Sequence, residues 1–254
     1  MNKTTIEWCD LTYNPVSGCR HGCRNVYCYN TMKPTSALNR FGAKFYDHVT
    51  KSFKTEKDWR KRETIGHKCY VAKKGERYPH GYDPTWYEKR LWEPRAVKIP
   101  QRIFTIDVGD LFGHWVPITW IKKVIGVMTA CDWHTFYCLT KNPRRYAQFT
   151  FPGNCWLGAT VCSDKDIKQA QTLQGIDHEQ KFLSIEPLHG PVTFSLAGIG
   201  WVIIGSETGK NPPVPDPAWV DGIVAEAKRV RAKIFMKDNL LQHYRGNTIY
   251  KQTP

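Results

Sequence analysis

"RIFTIDVGDLFGHWVPITWIKKVIGVMTACDWHTFYCLTKN", residues 102–142, contains two short runs rich in β-branched and aromatic residues, Arg102–Asp107 and Thr135–Thr140. Between them lie a loop and a segment, Pro117–Ala130, that opens on proline and can be helical. The runs are close to continuously apolar rather than alternating, which is the pattern of strands covered on both faces. Two such strands joined through a helix make a parallel βαβ unit. Downstream the unit recurs. "CWLGATV" (Cys155–Val161), "KFLSIE" (Lys181–Glu186), "WVIIG" (Trp201–Gly205) and "KIFMKD" (Lys233–Asp238) read as further strands, with helical candidates at Pro143–Phe149, Ser163–Gln174 and Pro217–Arg231. With "TTIEW" (Thr4–Trp8) as a first strand and one more in the segment before residue 102, the count approaches eight. That favours an α/β fold built as a complete or partial (β/α) TIM-type barrel over an open doubly wound sheet.

In a parallel barrel the loops after the strands open at one face, where active sites are built. The polar residues in those places are Asp107 and Asp110, Lys141 and Asn142, Ser163, Glu186, Ser206 and Glu207, and Lys237 and Asn239. Lys141 and Glu186 stand out, because a charge at the end of an apolar strand must be paired or put to use.

The loop that follows the proposed first strand is "SGCRHGCRNVYCYN", residues 17–30, with three cysteines spaced C-x3-C-x4-C. Nine cysteines in a chain of 254 residues do not read as a disulfide framework, and the clustering of three argues for metal. Structural zinc takes four closed ligands, often as two C-x-x-C pairs. A four-iron cluster is usually held by four cysteines. With only Cys19, Cys23 and Cys28, one iron would stay open to bind a small molecule; zinc held by the three thiols plus His21 is the competing reading, and thiols without a shared role a third. Cys9 could approach the same site or be buried. Cys131, Cys138, Cys155 and Cys162 need no role beyond that of small apolar side chains.

The net charge is +14, and the excess is uneven: Asn30–Arg102 carries 18 Lys or Arg against 8 Asp or Glu. Trp59, Tyr70, Tyr78, Tyr82, Trp86, Tyr87 and Trp92 interleave with these charges. The combination suits a polyanion with exposed bases as well as it suits an ordinary solvated insertion. A hydrophobic fraction of 41% supports one sizeable core, so the expected organisation is a single barrel domain, residues 1–254, with a basic, aromatic-rich insertion at about 31–100. No apolar run reaches the length of a membrane span and "MNKTTIEWCD" lacks a signal-peptide core; the expectation is a cytoplasmic protein without a membrane partner.

The cysteine loop resembles that of the radical S-adenosylmethionine (radical SAM) superfamily, whose usual motif is C-x3-C-x2-C on the loop after strand one of a (β/α) barrel. "CRHGCRNVYC" keeps the first interval and the aromatic Tyr27 but widens the second by two residues. More of the chain is similar to an uncharacterised phage-associated family related to the spore photoproduct lyase branch. The similar blocks are "YNPVSGCRHGC", "DPTWYEKRLWEP", "RIFTIDVGDLF", "TFYCLTKNPRR", "CWLGATV", "FLSIEPLHGP", "WVIIGSETG" and "IFMKDN", in that order. The resemblance implies a 4Fe-4S cluster on Cys19, Cys23 and Cys28 whose open iron chelates S-adenosylmethionine. One electron, from an external donor such as a flavodoxin, cleaves the sulfonium bond, and the resulting 5'-deoxyadenosyl radical abstracts a substrate hydrogen. It also implies that Gly109 and Asp110 contact the methionine amino group. Lys141 would meet the methionine carboxylate or a phosphate, and Ser184 and Glu186 ribose hydroxyls or substrate. The substrate suggested by the basic segment is a nucleic-acid base or modified nucleotide. A non-catalytic, zinc-containing nucleic-acid-binding protein is the alternative from another class.

Overall fold

The computed structural model describes residues 1–21, 46–47, 52–53, 69–74, 78, 83–209, 211–244, 246 and 248–254. Its main sheet is built from β1 (Asn2–Lys3), β2 (Leu11–Tyr13), β8 (Arg102–Thr105), β9 (Thr135–Thr140), β10 (Cys155–Val161), β11 (Lys181–Ile185), β12 (Trp201–Ile204) and β13 (Lys233–Met236), side by side in that order. From β2 to β13 every neighbouring pair is parallel; β1 is an antiparallel edge. A second sheet joins β3 (Val16–Ser17), β7 (Thr85–Trp86) and β6 (Tyr70–Val71), and β4 (Tyr46–Asp47) pairs with β5 (Ser52–Phe53).

The strands expected from residue 102 onward are present within two residues at each end, and the helices α1 (Ile118–Ala130), α2 (Ile167–Gln174) and α3 (Pro217–Arg229) lie where the proline and serine start signals put them. The Asp216 side chain accepts from the Ala218 amide at 2.9 Å with Pro217 in the first turn, and Ser163 accepts from the Lys165 amide. Pro143–Gln148 is a 3-10 helix rather than an α-helix. Buried residues recur three and four apart on α1 (Ile121, Val124, Ile125, Met128) and α3 (Val220, Ile223, Val224, Ala227). They cover the outer face of the sheet, where Ile103, Phe136, Leu157, Ala159, Leu183, Val202 and Ile234 point. No helix among the described residues is long and apolar enough to cross a membrane.

Two expectations about strands need correcting. Thr4–Trp8 is not a strand: Thr4 Oγ1 accepts from the Ile6 amide, the Cys9 amide returns to the Ile6 carbonyl, and the chain turns there. The first parallel strand is β2, which starts only after that turn. The basic segment adds no strand to the main sheet among the described residues: β4, β5, β6 and β7 belong to the two small sheets.

The turn delivers Trp8 to the inner face. Its ring lies 4.9 Å from that of Phe104 on β8, 5.5 Å from Tyr137 on β9, 6.4 Å from Phe182 on β11 and 5.8 Å from Trp201 on β12. Neighbouring strands are about 4.8 Å apart, so in a flat sheet β8 and β12 would be about 19 Å apart, too far for one indole to touch both. The sheet is therefore strongly curved around an aromatic plug. Gly158 makes room for it: a Cβ there would sit 2.2 Å from the Phe182 ring. At the far edge, residues 250–252 run beside β13, with Met236 N donating to Tyr250 O and Gln252 N to Ile234 O. Glu7, between β1 and β2, reaches this edge, accepting from the Asp238 amide at 3.0 Å and from Lys251 Nζ at 2.6 Å. The two ends of the sheet thus meet through side chains, and no ladder joins β13 to β1 or β2 among the described residues.

Candidate functional site at the carboxyl ends of the strands

Parallel strands place their following loops together, and the residues after β2, β8, β9, β10, β11 and β13 gather on one edge. The chain leaving β2 through β3 stays beside β8. Gly18 N donates to Val108 O, Asp110 N donates to Gly18 O, and Gly18 and Gly109 form a parallel bridge. Both glycines are required here. Gly18 has φ +101°, and a Cβ on Gly109 would lie 2.6 Å from the Gly18 carbonyl oxygen. Gly109→Ala is expected to push the two segments apart at a cost of about 1–3 kcal/mol, measurable as a lower denaturation midpoint. In such a bridge the N–H and C=O of Gly109 itself point away from Gly18.

Asp110 is buried, and each oxygen of its carboxylate is filled from within the chain. Oδ1 accepts from the Phe112 amide (2.9 Å) and Thr140 Oγ1 (2.8 Å); Oδ2 accepts from the Lys141 amide (3.0 Å) and faces His21 Nε2 at 2.5 Å. Burial by itself would raise this carboxyl; the His21 contact and the donors from Lys141 and Thr140 outweigh it and hold the group below the usual carboxylate range. The adjoining strand end is strained. Ile106 is β-branched with φ +66°, and the following Asp107 is locked to Asn14 by a reciprocal pair, Asn14 Nδ2 to Asp107 Oδ1 and Asp107 N to Asn14 Oδ1.

Cys19 follows Gly18 at this edge and is partly buried. Cys23 and Cys28 lie outside the described residues. Of the other expected binding residues, Gly109, Asp110 and Lys141 are brought into direct contact or adjacency. Ser184 is buried on the inner face of β11, in register with Thr160 on β10 and Ile203 on β12. Glu186 follows β11 and its carboxylate accepts from Lys237 Nζ at the end of β13; both side chains are about four-fifths covered. The lack of a side chain at Gly205 leaves space for Glu186, since a Cβ there would lie 3.0 Å from its carboxyl carbon. Asn239 clasps Ser206, donating to its carbonyl at 2.6 Å. Glu207 is buried, 3.5 Å from His189, and burial raises its carboxyl.

Cys162 was read from the sequence as a small apolar residue, but it is only partly buried and belongs to this edge. Burial pushes its thiol up to about 11, with Lys141 acting downward and Asp166 and Glu186 upward, so the thiol sits within electrostatic reach of those charges. The legible signal was position: it directly follows β10, as Lys141 follows β9. Cys9 is different. It lies buried among the inner aromatics at the opposite end of β2, and burial pushes its thiol up to about 12. Cys131, Cys138 and Cys155 are buried in the outer core, as expected.

Residues 3–245 match the family described as "Protein of unknown function (DUF5131)", and the chain belongs to that family. No curated protein and no solved structure matches it.

Proposed function

We propose that this member of the DUF5131 family is a radical SAM enzyme whose curved sheet is an incomplete (β/α) barrel. The observation that carries the reading is the course of the cysteine loop. It leaves the first parallel strand at the carboxyl edge and is bridged there to Gly109, so that Cys19 starts at the edge where Asp110, Lys141, Cys162 and Glu186 follow their strands. The residues suit the group. Cys19, with Cys23 and Cys28, would hold a 4Fe-4S cluster with one open iron, and the strand-end polar groups suit a zwitterionic amino acid joined to a nucleoside. When bound, cluster and S-adenosylmethionine supply one-electron cleavage of the sulfonium bond and abstraction of a substrate hydrogen.

The chain's own residues supply placement and dryness. Gly109 offers a main-chain carbonyl to an ammonium. Asp110 accepts from four groups of the chain and shapes the site by holding them. Lys141 offers a cation to a carboxylate or phosphate, and Ser184 and the Glu186–Lys237 pair offer hydrogen-bonding groups to hydroxyls. Below them the cluster of Trp8, Phe104, Tyr137, Phe182 and Trp201 closes the inner face to water. The substrate we favour is a nucleic-acid base or modified nucleotide, supported by the charge excess of the segment 30–102; the electron donor is an external protein such as a flavodoxin, and the setting cytoplasmic.

One observation favours a second reading. A metal-binding imidazole commonly donates its other ring nitrogen to a carboxylate, which is the contact between His21 and Asp110, so three cysteines and His21 could close a zinc site. Metal content decides. Protein purified without oxygen should carry iron and acid-labile sulfide with a brown colour and, once reduced, release 5'-deoxyadenosine from S-adenosylmethionine. One colourless zinc per chain, with no such release, overturns the enzymatic reading.

A further inference from the structure

Cys19 is pinned on both sides. Before it, Gly18 is bridged to Gly109. After it, the Arg20 guanidinium is held by Asp83 at 2.8 Å and the His21 imidazole by Asp110 at 2.5 Å. The His21 ring also stands edge-on to Trp115, centroids 4.7 Å apart. Trp115 is itself fixed: the buried Arg145 guanidinium donates to the carbonyls of Gly113 and Val116 on either side of it, and Cys69 Sγ to its own carbonyl at 3.6 Å. Asp110 is tied in turn to the start of the loop after β9 through Thr140 and the Lys141 amide. His21 thus ties the backbone directly after Cys19 to the ends of β8 and β9.

We infer that His21 is a positioning residue, whose imidazole, gripped by the Asp110 carboxylate and the Trp115 ring, fixes the backbone directly after Cys19 and so preorganises that thiol for metal. The inference rests on the proposed cluster and reassigns Asp110: its carboxylate acts on the loop through His21 instead of on a ligand. Arg20 supports this over a ligand role for His21, because it makes the equivalent grip with Asp83 on the other side of the loop and has no metal-binding chemistry. Ligands held by their neighbours lose about 10- to 100-fold in metal affinity when such a neighbour is removed.

The test compares the full-length protein with His21→Ala, His21→Gln, Asp110→Asn and the His21→Ala/Asp110→Asn double variant. Each is loaded with iron and sulfide without oxygen and then challenged with a chelator, and far-ultraviolet circular dichroism checks the fold. His21→Ala should retain iron about 10- to 100-fold less tightly with an unchanged fold. His21→Gln, which keeps an N–H donor for Asp110 but is a poor metal ligand, should recover most of the loss. The double variant should be no worse than the poorer single one, because the two residues act as one unit. If His21→Gln is as defective as His21→Ala, or the two losses simply add, the positioning role is overturned while a brown wild-type protein leaves the cluster standing. If the wild type binds one zinc that both His21 variants lose, both readings fall and His21 is a ligand.

Discussion

Cys19→Ala, Cys23→Ala and Cys28→Ala proteins, reconstituted with iron and sulfide without oxygen, should each emerge colourless and retain only background iron. Three thiolates are the minimum that holds a cube with one open iron, so removal of any one leaves no redundancy. Exchange of the other six cysteines should leave iron loading intact. Cys162 belongs to that group even though it lies on the same edge, because three thiolates already complete a cube with one open iron. The wide interval before Cys28 makes that variant the most informative. Full iron in Cys28→Ala would show that another residue supplies the third ligand. Cys9 is a poor candidate for that ligand, since it is buried among the inner aromatics at the other end of β2.

The second large effect concerns stability. Asp110→Ala removes an acceptor for the Phe112 and Lys141 amides, the Thr140 hydroxyl and the His21 ring at once, in a buried place where water does not substitute for it. The expected loss is about 3–5 kcal/mol. For a chain of this size that lowers the melting temperature by about 6–20 °C. The effect depends on pH in a defined direction. Asp110 is held below its ordinary value in the folded protein, so its contribution is complete above the unfolded carboxyl value, about pH 3.9, and is lost as pH falls through the folded one. Wild type and Asp110→Asn should therefore differ most near neutral pH and converge in acid. A melting temperature for Asp110→Ala within about 2 °C of wild type would show that the carboxylate does not carry this network.

The strands from residue 102 onward and the helices between them were legible in the sequence because their determinants are local. Continuous apolar runs need cover on both faces, proline and aspartate begin α3, and a serine caps the turn before α2. That the polar residues after the strands share an edge followed from parallel pairing alone, which put Asp110, Lys141 and Glu186 on one face before any distance was known. The tertiary structure decided what non-local contacts decide. "TTIEW" carries the β-branched and aromatic residues of a strand, yet it turns, because the interior needs one large ring against aromatics from four strands and Trp8 supplies it. Asp110 reads as an acceptor open to a ligand until its four donors, three of them distant in sequence, are seen to fill it. Cys162 reads as a small core residue until β10 is seen to end at the same edge as Lys141. The sequence could show that three thiols cluster on one loop; only packing shows what grips that loop, since His21 and Asp110 are 89 positions apart and meet because β2 and β8 are neighbours in the sheet.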